Sequence, residues 1–326
     1  MSPRTRIRLL VGAAALVAGA LATGAALWGG GSEAASTAPV GRGAPALELS
    51  VLVRNDGFAK KLRAAERDYD GGRRAKARSD FAALSRARPE SIPAAVGAAI
   101  AAWPDHTVAR LRSLVREHPD SALARLHLGL ALYASGDDAG AAAQWRAATW
   151  REPNTPSAVR ADDLLHPDMA PGLPFFFSPL PRPRGLAGRS PQAQLDELER
   201  RARHGGADDW IQYGTALQRV GRPVSARTAF ARAAALAPDS VSAQVAAAVG
   251  RFDKDNPSGA FSRLGPLARS HPDAAVVRFH LGLLLLWLRN VDEARKQLQR
   301  AVAADSSGFY GRQARALLSR LEAIGT

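Results

Sequence analysis

The stretch from Trp210 to Pro238 constrains this chain more than any other. Trp210, Tyr213, Gly214 and Leu217 fall at helical spacing, and so do Ala226, Phe230 and Ala233. A turn at Gly221-Arg222-Pro223 separates the two clusters, and Pro238 stops the second. Each cluster makes one apolar stripe on a helix. The small residues Gly214 and Ala226 allow two antiparallel helices to approach closely. A single pair of this kind leaves much of both stripes wet, so the stretch implies stacked neighbours.

Those neighbours are present. Leu128 and Gly129, then Ala141 and Trp145, repeat the two clusters, as do Leu281 and Gly282, then Ala294. Pro119 and Pro153 stand 34 residues apart (153 minus 119). The pattern resembles the tetratricopeptide repeat, whose signature is W-x2-L-G-x2-Y, then A-x3-F, then P, with that same period. Tyr213 replaces the usual Leu, and Trp145 the usual Phe. The resemblance implies an all-α, right-handed solenoid of about six helix pairs in two halves. It also implies protein or peptide partners, bound on the first helices of the pairs.

Weaker units fill the remainder. Phe58, Leu62, Ala65 and Tyr69 precede Ala77, Phe81 and Leu84; a degenerate unit follows, with Asp105 expected as an N-cap. HPDSALARLHLGL at 118–130 reappears as HPDAAVVRFHLGL at 271–283, an offset of 153 (271 minus 118) that also maps Ala141 onto Ala294. One half therefore reads as a copy of the other. Boundaries follow: first array 57–157, insert 158–206, second array 207–326, with a solvating helix at the end.

The insert contains Pro171, Pro174, Pro179 and Pro181 around Phe175, Phe176 and Phe177. So many prolines exclude regular helix and favour extended backbone. Three phenylalanines in a row need cover, and Leu173–Leu180 is expected to fold back onto the groove face.

Ahead of the arrays, Arg4, Arg6 and Arg8 precede an uncharged run from Leu9 to Trp28. Roughly 20 apolar residues are what a bilayer-spanning helix requires. We expect a basic cytoplasmic segment (1–8), a membrane anchor (9–28), a flexible linker (29–56) and everything later outside the cytoplasm. A cleaved signal peptide ending near Ala20-Leu21-Ala22 competes with the anchor and would release a secreted form.

The chain has 44 basic and 30 acidic residues and no cysteine. Disulfides, thiolate metal sites and cysteine nucleophiles are thereby excluded. The net charge of +14 suits anionic cell-wall polymer or lipid headgroups, but no nucleic-acid motif accompanies it. His118 and His127, with their copies His271 and His280, form the only repeated polar set; each pair straddles a helix start, which reads as structural rather than metal-binding. The carboxylate pairs Asp162-Asp163 and Asp208-Asp209 read as helix-start residues. No nucleophile elbow, phosphate loop or zinc-protease motif occurs. No cofactor, metal or enzymatic activity is expected.

Peptide-binding members of the resembled family use first-helix positions, which here are Leu126, Leu130, Tyr133, Gln218, Arg219, Phe279, Leu283 and Trp287. The Lys/Asn carboxylate clamp of the family's co-chaperones is missing. What remains is an apolar groove suited to an apolar segment. The expected function is a scaffold or assembly factor at the extracytoplasmic face, with a holdase-like helper or a polymer-binding surface as alternatives.

Overall fold

The structure is a computed structural model that describes residues 43–50 and 54–325. The expected anchor and its basic flank lie outside the described residues. Among the described residues there are fifteen helices and no strand, and no helix is long and apolar enough to cross a membrane. The chain divides into two compact units, one centred on residues 38–165 and the other on 166–326.

The first unit runs α1 (Gly57–Asp70), α2 (Arg74–Ala87), α3 (Ile92–Ala101), α4 (Thr107–Glu117), α5 (Ala122–Ala134), α6 (Asp138–Arg151) and α7 (Pro156–Leu165). Most starts carry the side-chain caps that short polar residues supply. Asp56, Ser91, Ser121 and Asp137 each accept the backbone N–H three residues on. Asp105 does not cap α4. That position belongs to His106, in the left-handed region at φ 55° with no side-chain cap. One apolar cluster runs through the unit, from Leu62, Phe81 and Ile100 to Leu111, Leu126 and Leu130.

The second unit contains α8 (Pro191–His204), α9 (Ala207–Arg219), α10 (Pro223–Leu236), α11 (Val241–Val249), α12 (Ser258–Ser270), α13 (Ala275–Trp287), α14 (Val291–Ala304) and α15 (Phe309–Gly325). Gly214 meets Phe230 as the repeat pattern requires: a Cβ added at Gly214 would lie 2.5 Å from the Phe230 ring. Trp210 departs from that pattern. It is half-buried and packs edge-on to Tyr213 (6.2 Å between centroids), while Ile211 takes the inward place on α9. Trp210 lies in the first turn of α9, where Ile211, Gly214 and Leu217 make the inward stripe.

The duplication is more extensive than the sequence match. Helices α5, α6 and α7 start at 122, 138 and 156; α13, α14 and α15 start at 275, 291 and 309, each 153 later. Helices α1, α2 and α3 correspond to α9, α10 and α11 at an offset of 149, seen in the ends at Asp70 and Arg219 (219 minus 70). The turn glycines Gly72 (φ 76°) and Gly221 (φ 69°) keep that offset, both in the left-handed conformation that glycine adopts without strain. The extra four residues enter between α11 and α12. Helix α7, assigned from sequence to the insert, is thus the counterpart of α15, and it packs on α5 and α6. Asp162 and Asp163 lie toward the end of α7, not at its start.

Candidate functional site: two occupied grooves

Each unit holds an extended piece of its own chain against its first helices. In the first unit this piece is Pro45–Leu49. Pro45, Leu47 and Leu49 are buried while Ala46 and Glu48 are partly exposed, the period-2 alternation of extended backbone, which ends at Ser50 with φ 53°. Residues 43–50 are therefore no flexible spacer, contrary to the linker expected there. Leu47 and Leu49 are 3% and 1% exposed and join the cluster that contains Leu126 and Leu130.

Polar side chains of the array hold the backbone of this strap. The Tyr69 hydroxyl donates to the Pro45 carbonyl at 2.7 Å. The Leu49 amide donates to Glu66 Oε1 at 2.7 Å, and the Glu48 amide donates to His127 Nε2 at 3.1 Å. The Glu48 carboxylate also meets Arg160 of α7, Nε to Oε1 at 2.8 Å.

In the second unit the piece is Leu173–Phe177, within the insert, entered through Gly172 at φ 71°. Trp287 Nε1 donates to the Gly172 carbonyl (3.1 Å), and Gln218 Nε2 donates to the Pro174 carbonyl (3.3 Å). Gln218 Oε1 accepts from the Phe176 amide (2.9 Å). The Phe177 amide donates to His280 Nε2 (2.9 Å), and Tyr310 donates its hydroxyl proton to the Phe177 carbonyl (3.0 Å). Phe176 stacks on the His280 imidazole at 4.7 Å and meets Phe230 edge-on; Phe177 meets Phe279 edge-on. Phe176 and Phe177 are buried, and Phe175 is partly exposed.

The two histidines have the same chemistry. His127 Nδ1 lies 2.8 Å from the Leu123 carbonyl and His280 Nδ1 lies 2.7 Å from the Val276 carbonyl. A carbonyl only accepts and an amide N–H only donates. Each ring must therefore be neutral, with its proton on Nδ1 and the lone pair on Nε2. Burial agrees: desolvation pulls both imidazoles down to about 4, against the opposing pull of the carbonyl bond.

With the histidines as reference points, Glu48 corresponds to Phe177, so Pro45 corresponds to Pro174, three residues earlier in each. Tyr69 and Gln218, equivalent at the offset of 149, bind those two proline carbonyls. Leu47 and Phe176 hold the same strap position, and both are buried. The shared recognition pattern is Pro-x-(Leu/Phe)-x in extended form.

The expected groove residues are thereby located. Leu126, Leu130, Phe279, Leu283 and Trp287 are buried rather than open. Gln218 touches the strap; Tyr133 is half-buried against the Trp145 ring at 6.0 Å. Arg219 is partly buried, and desolvation, with Arg182 adding to it, draws its guanidinium below its usual value. Sequence reasoning missed Tyr69, Glu66, Arg160 and Tyr310, and gave His127 and His280 a merely structural part. The duplicated histidine and a proline three residues before each bonded amide were the available signals. Asp209 accepts the Gly206 amide at the start of α9, as an N-terminal carboxylate does. Among the described residues no three His, Cys, Asp or Glu side chains gather as a metal set.

No protein-family profile and no curated protein matches the chain. Solved structures do resemble it. The crystal structure of YrrB, a TPR protein with an unusual peptide-binding site, is 15% identical, with 63% of this chain and 97% of that one covered and a TM-score of 0.32. The APC/C hetero-tetramer Cut9-Hcn1 is 14% identical, covering 84% of this chain and 58% of that one, with a TM-score of 0.29. The TPR domain of P58(IPK) is 12% identical, covering 82% and 98%, with a TM-score of 0.26. Likeness at these values carries nothing about partner or mechanism; what the chain itself displays is an all-helical array of repeated pairs, built twice.

Proposed function

We propose that this protein is a non-enzymatic interaction scaffold whose helical arrays take extended apolar segments of other proteins along the first helices. The observation that carries the reading is the pair of occupied grooves. Each array already binds an extended segment through backbone hydrogen bonds and an apolar socket, the means by which a repeat surface recognises peptides. The basic run before Leu9 and the uncharged stretch to Trp28 support placing the scaffold at the extracytoplasmic face of a membrane.

Site-specific photocrosslinking in the intact protein tests this. A crosslinker at Tyr133, a half-buried first-helix position, should capture protein partners. One at Trp150, 74% exposed on α6, should capture far fewer. Partners captured only from Trp150, or retention governed by salt-sensitive binding to anionic polymer instead, would contradict the scaffold reading.

A further inference from the structure

We propose that the first groove is a receptor for an extended acidic peptide of the form Pro-x-Leu-Glu-Leu, and that residues 45–49 are its resident, exchangeable occupant. The inference deepens the scaffold reading by naming the peptide class and the residue that selects it.

The two grooves share the backbone clasp but differ in the side chains that seat the strap. The second strap has two buried phenylalanines and is fixed by Trp287 and Tyr310. At the equivalent positions (offset 153) the first unit has Ala134 and Ser157, and leucine stands in place of Phe176. The first groove thus keeps the recognition elements without those two aromatic donors, and holds its strap instead through Glu66 at the Leu49 amide and Arg160 at the Glu48 carboxylate. Bonds to main-chain atoms made by Tyr69 and His127 do not depend on which protein supplies the strand.

The grooves also differ in the residue they read. Glu48, the position whose amide reaches the histidine, pairs with Arg160, whose side chain is only 11% exposed. In the second unit Phe177 takes the Glu48 position, and Gln313 takes the Arg160 position with its buried Oε1 unpartnered. An acid beside a largely buried guanidinium gives a directional, charge-assisted contact that an uncharged residue cannot supply. Arg160 is therefore the specificity-determining residue of the first groove. Tyr69 requires a free carbonyl at proline, and His127 requires a free amide at the acid.

The test uses the full chain and a labelled synthetic peptide of residues 43–50. Hydrogen exchange on the unmodified protein should show the Glu48 and Leu49 amides exchanging faster than those of α5, and faster still when peptide is in excess. Strap amides as protected as α5 and unmoved by peptide would overturn the proposal. A Leu47→Ser, Leu49→Ser protein should keep its helical content and bind the peptide more tightly than the unmodified chain. Adding Arg160→Glu should weaken that binding by roughly tenfold or more, and a peptide carrying Arg at the Glu48 position should regain it. Loss of helical content in the strap variant, or equal binding of the Glu and Arg peptides, would overturn it. These readouts concern the strap alone, so their failure would leave partner capture elsewhere on the arrays intact.

Discussion

At the scale of single residues, His127 and His280 carry the most information. A histidine enclosed among leucines is usually satisfied within its own helix, and half of each ring is: Nδ1 bonds the carbonyl four residues back. The other nitrogen reaches a distant amide, which no helical periodicity reveals. The copied histidine was legible in sequence; its ligand was not, because Glu48 and Phe177 lie 79 and 103 residues away.

Their depressed proton affinity also fixes a pH dependence. The unfolded chain takes up each proton near 6.5, the folded chain only at about 4. Between those values the unfolded state binds more protons, so stability falls as pH drops from about 6.5 to about 4 and then levels off for these groups. Each histidine contributes a loss on the order of 3 kcal/mol. Urea melts at pH 7.5 and pH 4.5 check this. His127→Gln with His280→Gln retains an acceptor oxygen without the titration, so it should flatten the difference. An unchanged slope would show that other groups set it.

At the scale of elements, helix pairing followed the sequence closely because its determinants are local. Gly214 and Phe230 lie 16 residues apart, across one short turn. Trp210 was misjudged for a local reason too, since the first turn of α9 turns it partly outward and Ile211 packs in its stead. The straps were harder to read. Leu47 and Leu49 alternate with the partly exposed Ala46 and Glu48, yet the side chains that hold this backbone, Glu66 of α1 and His127 of α5, stand 17 and 79 residues away from the amides they accept. For the second strap, proline-enforced extension and three adjacent phenylalanines were the visible clues.

Its seating has a measurable consequence. Phe176 is 1% exposed and wedged among His280 and Phe230. Phe176→Ala should destabilise the second unit by about 3–5 kcal/mol, the usual loss for a large buried ring. Phe175→Ala, at the partly exposed position, should have a much smaller effect. Thermal melts of the two variants decide it; equal shifts would mean that Phe176 is not the anchor.

At the scale of the whole molecule, the described residues show one design used twice: seven helices and a strap, then the same seven with α8 added. The two copies keep the clasp, proline carbonyl to Tyr69 or Gln218 and amide to histidine, while the side chains around it have diverged. Two occupied grooves built on one backbone-reading device are what the scaffold reading rests on. The most direct measurement of that device is nitrogen-15 NMR of the imidazoles in the intact protein at pH 7. The account predicts two histidines of the same kind, neutral, protonated on Nδ1, with unprotonated Nε2 accepting hydrogen bonds from the amides of Glu48 and Phe177. Either ring found protonated on Nε2, or titrating near 6.5 like a solvent-exposed histidine, would contradict it.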